Sequence, residues 1–201
     1  MGESVELGVF PLQMVLLPGE RHRLHLFEPR YRQLYADCVL EDLPFVLVRG
    51  DDRMQESIGC TARFWDLEHR HADGRLDVVI LGEDRVELGE QTEGRLYRTA
   101  SVLRRDDELD PAPADQRERL VATVRAFTGE EVERADGVAL SYRLAAGLPL
   151  DDDLRQVLLD ERSERRRMAL LERAMDALRE REARAAEYAR RAATNGHVPL
   201  P

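Results

Sequence analysis

The chain contains no lysine. All 30 basic residues among its 201 are arginine, which stays protonated at ordinary pH and cannot act as an amine nucleophile or a neutral base. That excludes Schiff-base chemistry, a phosphate-binding P-loop lysine and a serine–lysine dyad within this sequence. None of its five serines stands in a G-x-S-x-G elbow. Cysteine is scarce: Cys38 and Cys60 sit in apolar patterns and read as buried free thiols rather than a disulfide. Cys38 falls in a helical stretch with no neighbouring histidine, so it reads as core rather than as a nucleophile. No apolar run approaches the ~18–20 residues that a membrane-crossing helix needs. The opening MGESVELGVF lacks the basic-then-apolar order of a secretory leader. The expectation is a cytoplasmic protein with no membrane partner.

What is abundant is charge. Charged residues make up 35% of the chain against 43% hydrophobic, with a net charge of −10. Such a surplus of acid repels a phosphate backbone at long range. It is uneven: residues 161–191 hold ten arginines and seven acids, a local +3. The length suits one domain, or one domain with a substantial appendage.

The N-terminal half reads as strands. Val5–Leu17 and Arg21–Phe27 flank the turn dipeptide Pro18-Gly19. Glu28-Pro29-Arg30-Tyr31 then switches the period, with proline suited to the first helical position, and a helix follows over Arg30–Leu40. Phe45-Val46-Leu47-Val48 reads as a buried strand. Ser57–His69 and Arg75–Leu88 form a hairpin through Ala72-Asp73-Gly74, and Gly82 marks a bulge or bend in its second strand. Tyr97–Arg104 is the last strand. Prolines 111 and 113 among acids mark a linker. Beyond it, Gln116–Phe127, Gly137–Ala146, Asp151–Leu159 and Ser163–Ala193 read as helices. Met168, Leu171, Met175 and Leu178 give the last helix an apolar stripe in its first half only.

The stretch Val9–Tyr31, VFPLQMVLLPGERHRLHLFEPRY, resembles the start of the Lon substrate-binding domain, in which an F-P-L…PG…E-x-R-Y pattern recurs. The resemblance extends over about residues 5–180, more weakly in the helices. It implies an α+β fold: a PUA-like antiparallel β-barrel with one inserted helix over 1–108, then a C-terminal α-helical bundle over 109–201 that ends in a long helix and a disordered tail, Thr194–Pro201. It also implies a non-enzymatic module that binds protein, without ATPase or protease parts. The expected ligand is an unfolded or degron-bearing polypeptide, with a protease or chaperone as a further candidate partner. A second reading stays open, a nucleic-acid-binding PUA-like adaptor; the acidic balance argues against it.

Candidate peptide contacts are Leu16, Leu17, Phe27, Phe64 and Trp65. Phe64 and Trp65 are adjacent in a strand, so one faces the core and the other outward; Leu16-Leu17 precede the first turn as a second apolar element open to a ligand. Pro18, Gly19, Glu28, Pro29, Arg30 and Tyr31 read as structural motif residues, with Glu28 and Arg30 capping the helix or pairing to fix its joint. His69 and His71 would share one strand face, a spacing that suits a metal. No third ligand is specified, so a solvated hairpin tip is the simpler reading; His22 and His25 read as surface or packing residues. The adjacent acids Asp106-Asp107 and Asp151–Asp153 read as solvated turns and caps. Arg165-Arg166-Arg167 reads as a solvated basic face, and no interleaved aromatics support base stacking. Neither a metal nor a cofactor is expected.

Overall fold

Leu17-Pro18-Gly19-Glu20 folds as a tight turn. The Glu20 N–H donates to the Leu17 carbonyl at 3.1 Å, and Gly19 holds φ at +81°. Proline followed by a positive-φ glycine is the chemistry of a type II turn. The computed structural model describes residues 5–51, 55–93, 95–132 and 137–195. The end of the tail expected to be disordered, 196–201, lies outside the described residues. In chain order the elements are β1 (Val5–Leu12), β2 (Arg21–Leu26), α1 (Pro29–Glu41), β3 (Phe45–Arg49), β4 (Ile58–Arg70), β5 (Leu76–Thr92) and β6 (Thr99–Arg104). Then come α2 (Ala114–Thr128), α3 (Leu140–Ala146), α4 (Asp152–Asp160) and α5 (Glu164–Asn195).

The strands form an α+β arrangement in one sheet of order β2-β5-β4-β3-β1-β6, and β6 pairs again with β5. The ladder β5-β4-β3-β1-β6 therefore returns to its start, leaving β2 as a flanking strand on the first half of β5. One pair departs from the expected all-antiparallel barrel: β1 runs parallel to β3, with Val9 opposite Val46. The cause is the segment between them. β2 and α1 together make a crossover long enough to bring the chain back in the same direction. The β4–β5 ladder shifts register three times: Trp65 and Glu68 are extra residues on β4, whereas beside Thr61 the extra residue lies on β5, next to Gly82. Such bulges bend and twist a strand and re-aim its side chains.

The first four residues of β3, Phe45–Val48, are apolar and buried because both faces are covered. Phe45 and Leu47 join Phe10, Cys60, Ile80 and the α1 residues Tyr31, Leu34 and Cys38. Val46 and Val48 join Leu7, Val9, Ala100 and Val102 on the other side. A third cluster lies among the helices, with Leu120, Leu144, Leu158, Met168 and Leu171. The segment before the turn bridges two of these cores by alternation: Leu16 enters the sheet core, while Val15 and Leu17 enter the helical core.

This corrects the expectation that Leu16 and Leu17 stand open. Both are buried, because the helices pack on the side of the turn that sequence alone leaves uncovered. Gly82 is the counterpart across the way. Its N–H donates to the Glu20 carbonyl and its own carbonyl accepts from Gly19 N–H. A β-carbon there would lie 2.4 Å from the Leu17 carbonyl oxygen.

Polar contacts fix the helices to the sheet. Arg167 on α5 is fully buried, which corrects its reading as part of a solvated face. Its guanidinium donates to Asp107, to Glu164, to the Glu161 carbonyl at 2.7 Å and to Ser141 Oγ at 2.8 Å. Arg85 on β5 donates at 2.9 Å to Asp107 Oδ1, an oxygen that Arg167 also reaches. Asp107, read as a solvated turn acid, is thus the shared counter-ion of two buried arginines. Asp151 caps α4 by accepting from Leu154 N–H. Glu20 accepts from both Leu17 N–H and Arg155. Side chains 179–191 of α5 are all exposed.

Candidate functional site

Register decides what the outer face of β2-β5-β4 displays. Directly opposed residues of antiparallel strands point to the same face. Arg21, Leu81 and Arg63 form one such row, and His25, Asp77 and His69 another. Between them, Arg23 on β2 pairs with Glu68 on β4 at 2.8 Å. Val79 and Leu81 are half-buried in the middle of this face. Trp65 is 57% exposed and Phe27 61% exposed. The Arg21 guanidinium lies over the Trp65 ring, 5.0 Å from its centroid, a cation–π contact that places the indole on the same face. Phe27 stacks beside His25, with ring centroids 6.2 Å apart. β2 pairs only with β5 among the described strands, so its other edge has no strand partner.

Trp65 follows the inward-facing Phe64 and points outward, and it is also the extra residue of a bulge. Phe64 pairs with Ile80 and Asp66 with Val79, leaving Trp65 between them. Phe64 turns inward, stacked on Phe45 at 4.6 Å and edge-on to Tyr35 at 4.9 Å. Of the sequence-proposed contact residues, the structure therefore places Phe27 and Trp65 on the outer face. Phe64 lines the sheet core, and Leu16 and Leu17 lie beneath the helices. Glu28 and Arg30 pair at 2.9 Å, and the Glu28 backbone carbonyl accepts the first helical N–H groups of α1. Pro18 and Gly19 form the turn, Pro29 starts α1, and Tyr31 stacks on Phe10 at 3.9 Å.

Two cavities approach the sheet. A groove of about 620 Å³ runs between Gly19, Glu20 and Arg21 on one side and Val124, Thr128, Arg143 and Leu144 on the other. Arg21 lines this groove and also covers the Trp65 ring. A second cavity, about 390 Å³, is lined by Glu6, Asp37, Cys38, Arg95, Tyr97 and Thr99 among others.

The chemistry of the second cavity is that of a satisfied polar cluster. Asp37 accepts from Tyr97 Oη at 2.7 Å, Arg95 at 2.9 Å and Gln33 at 2.6 Å. Burial works to raise its pKa, but these donors outweigh it and hold the carboxyl below its usual range. Burial, then the facing Asp37 carboxylate, pushes the Tyr97 phenol up to about 12. Burial likewise pushes the Cys38 thiol up to about 12. A locked carboxylate, a neutral phenol and a neutral thiol do not form an acid–base pair poised near neutrality.

Sequence reasoning missed the outer face as a unit. Its signals were present, in the alternation of Arg21, Arg23, His25 and Phe27 along one strand. The partners Asp77, Val79 and Leu81 become visible only through register.

The comparisons with known proteins agree with this architecture. A family model described as the ATP-dependent protease La (LON) substrate-binding domain matches residues 6–130. No match was found among curated proteins. Among solved structures, the crystal structure of a Lon N-terminal domain protein from Xanthomonas campestris aligns with a TM-score of 0.67 and 26% identity, over 83% of this chain and 96% of that one. The N-terminal domain of a Mycobacterium avium complex Lon protease aligns with a TM-score of 0.68 and 18% identity, over 86% of this chain and 98% of that one. At the latter identity the likeness is one of fold.

Proposed function

Because the chain belongs to the LON substrate-binding domain family, we propose that it is a non-catalytic module that captures polypeptide segments on the outer face of β2-β5-β4. The single observation that carries this reading is the outward placement of Trp65, with Arg21 over it and Val79 and Leu81 beside it. Large aromatics and arginine are the residues that anchor protein interfaces. The unpartnered edge of β2 adds backbone groups with which an extended segment can pair. The ligand is an unfolded or degron-bearing segment, and a protease or chaperone receives it. Residues 1–108 supply recognition, and 109–201 buttress the sheet from behind the first turn. The cytoplasm is the compartment in which such clients arise.

Fluorescence anisotropy with labelled, unstructured polypeptides of varied sequence tests this reading. The wild-type chain is expected to bind a subset of them. Trp65→Ala and Phe27→Ser are expected to weaken that binding by tenfold or more, about 1.4 kcal/mol. Absence of binding above background, or variants that bind as the wild type does, would contradict it. Salt-dependent binding of structured RNA in place of peptide would transfer the face to nucleic acid.

A further inference from the structure

Three of the chain's five histidines gather at one end of the outer face. Asp77, on the central strand β5, stands opposite His25 of β2 and opposite His69 of β4, so the three share one row and one side of the sheet. His71 follows at the hairpin tip. Its N–H donates to the Arg75 carbonyl at 2.9 Å, and its carbonyl accepts from Gly74 N–H at 3.0 Å, which pins its backbone. From there its ring folds back toward the row: Nε2 lies 2.8 Å from Asp77 Oδ2. His25 Nδ1 lies 2.5 Å from Asp77 Oδ1. Each carboxylate oxygen therefore faces one imidazole nitrogen, and the three donor atoms all lie within 4.8 Å of one another. The His69 ring stands edge-on to His71, with centroids 4.5 Å apart.

We propose that His25, His71 and Asp77 bind a divalent transition-metal ion of the zinc class, with His69 or water in the fourth position. Two imidazoles and one carboxylate are a common zinc donor set, and metal–ligand distances near 2.0–2.2 Å place tetrahedral ligand atoms about 3.3 Å apart. The present separations of 2.5 and 2.8 Å fall short of that by under 1 Å. The ion takes the place of the two imidazole–carboxylate hydrogen bonds, and each ligating imidazole nitrogen gives up its proton to the other ring nitrogen or to solvent.

The charge setting favours this. In a chain with 30 arginines, both ion pairs of Asp77 are with imidazoles. An aspartate carboxyl is ionised near neutral pH and serves as an anionic ligand. Two neighbouring arginines are engaged elsewhere: Arg23 with Glu68, and Arg75 with Asp73. The three side chains remain 30–41% exposed, which leaves the site open to an ion from solution. Bound there, the ion ties the end of edge strand β2 to the β4–β5 hairpin beside Phe27. The inference does not depend on peptide binding.

Calorimetric titration of the full, tag-free chain with zinc chloride tests it. One equivalent is expected, with affinity lowered tenfold or more in His25→Ala and in His71→Ala and unchanged in His22→Ala, which lies outside the cluster. Ring resonances of His25 and His71 in the wild-type chain should shift with the first equivalent while those of His22 stay fixed, a readout that needs no variant to fold. With cobalt(II), the visible bands should lack thiolate charge transfer, because Cys38 and Cys60 are buried elsewhere. Several weak equivalents indifferent to these substitutions, thiolate bands, or no stoichiometric binding would overturn the assignment.

Discussion

Replacing Arg167 by alanine should weaken the polar network through which the helices meet Arg85 of the sheet, since both arginines share Asp107. The guanidinium is fully buried. It reaches two carboxylates, Asp107 and Glu164, together with the Glu161 carbonyl and the Ser141 and Tyr142 hydroxyls. Breaking a buried ion pair from one side costs about 3–5 kcal/mol, because the remaining charge loses its partner without regaining water. Two features move the expectation toward the lower bound. Asp107 is 35% exposed, and it keeps Arg85 at 2.9 Å. The expected loss is therefore about 3 kcal/mol. For a chain of this size it corresponds to a drop of roughly 6–12 °C in melting temperature. Urea unfolding followed by circular dichroism measures it, and Arg167→Lys should recover only part, because a point charge cannot serve the several acceptors a planar fork reaches. In a double-mutant cycle, Arg167→Ala with Asp107→Asn should show a coupling above ~1 kcal/mol. A loss below ~1 kcal/mol for Arg167→Ala would refute the claim that this network holds the two parts together.

Two further outcomes follow from buried groups. Burial pushes Cys38, Tyr97 and Tyr142 each up to about 12, from ordinary values near 9 and 10. The folded chain keeps these protons over a range in which the unfolded chain has lost them, so their stabilisation is complete below pH 9 and is lost progressively toward pH 12. With no lysine to titrate there, urea midpoints at pH 8 and pH 10.5 should differ, with the chain weaker at the higher pH; equal midpoints would contradict this. Gly82→Ala should cost about 2 kcal/mol by overpacking against the Leu17 carbonyl, since the added carbon falls 2.4 Å from that oxygen; a thermal melt matching the wild type would show that the turn yields.

Local chemistry made much of the fold legible. Pro18-Gly19 and Asp73-Gly74 marked turns that the structure contains, and the Phe45–Val48 run marked a strand covered on both sides. The alternation in Met168, Leu171 and Met175 marked the buried stripe of the last helix. What stayed hidden was nonlocal. The parallel pairing of β1 with β3 depends on how a crossover closes, and no residue type announces it. Arg167 lies one position from the apolar stripe at Met168, and its burial is tolerable only because Asp107, sixty residues earlier, meets it. The same holds for the candidate sites. His25 and Asp77 stand 52 residues apart, so the third ligand missing from the His69/His71 pair came from another strand. That one of Phe64 and Trp65 faces outward was legible from two-residue alternation; the bulge that sets Trp65 between the Ile80 and Val79 pairings was not.

Trp65 is the chain's only tryptophan, so its own emission reports on the proposed docking face. Titrating the wild-type chain with an unstructured polypeptide that binds should shift that emission to shorter wavelength and protect the indole from a soluble quencher. Saturable binding that leaves the Trp65 spectrum and its quenching unchanged would place the ligand elsewhere and contradict the proposal.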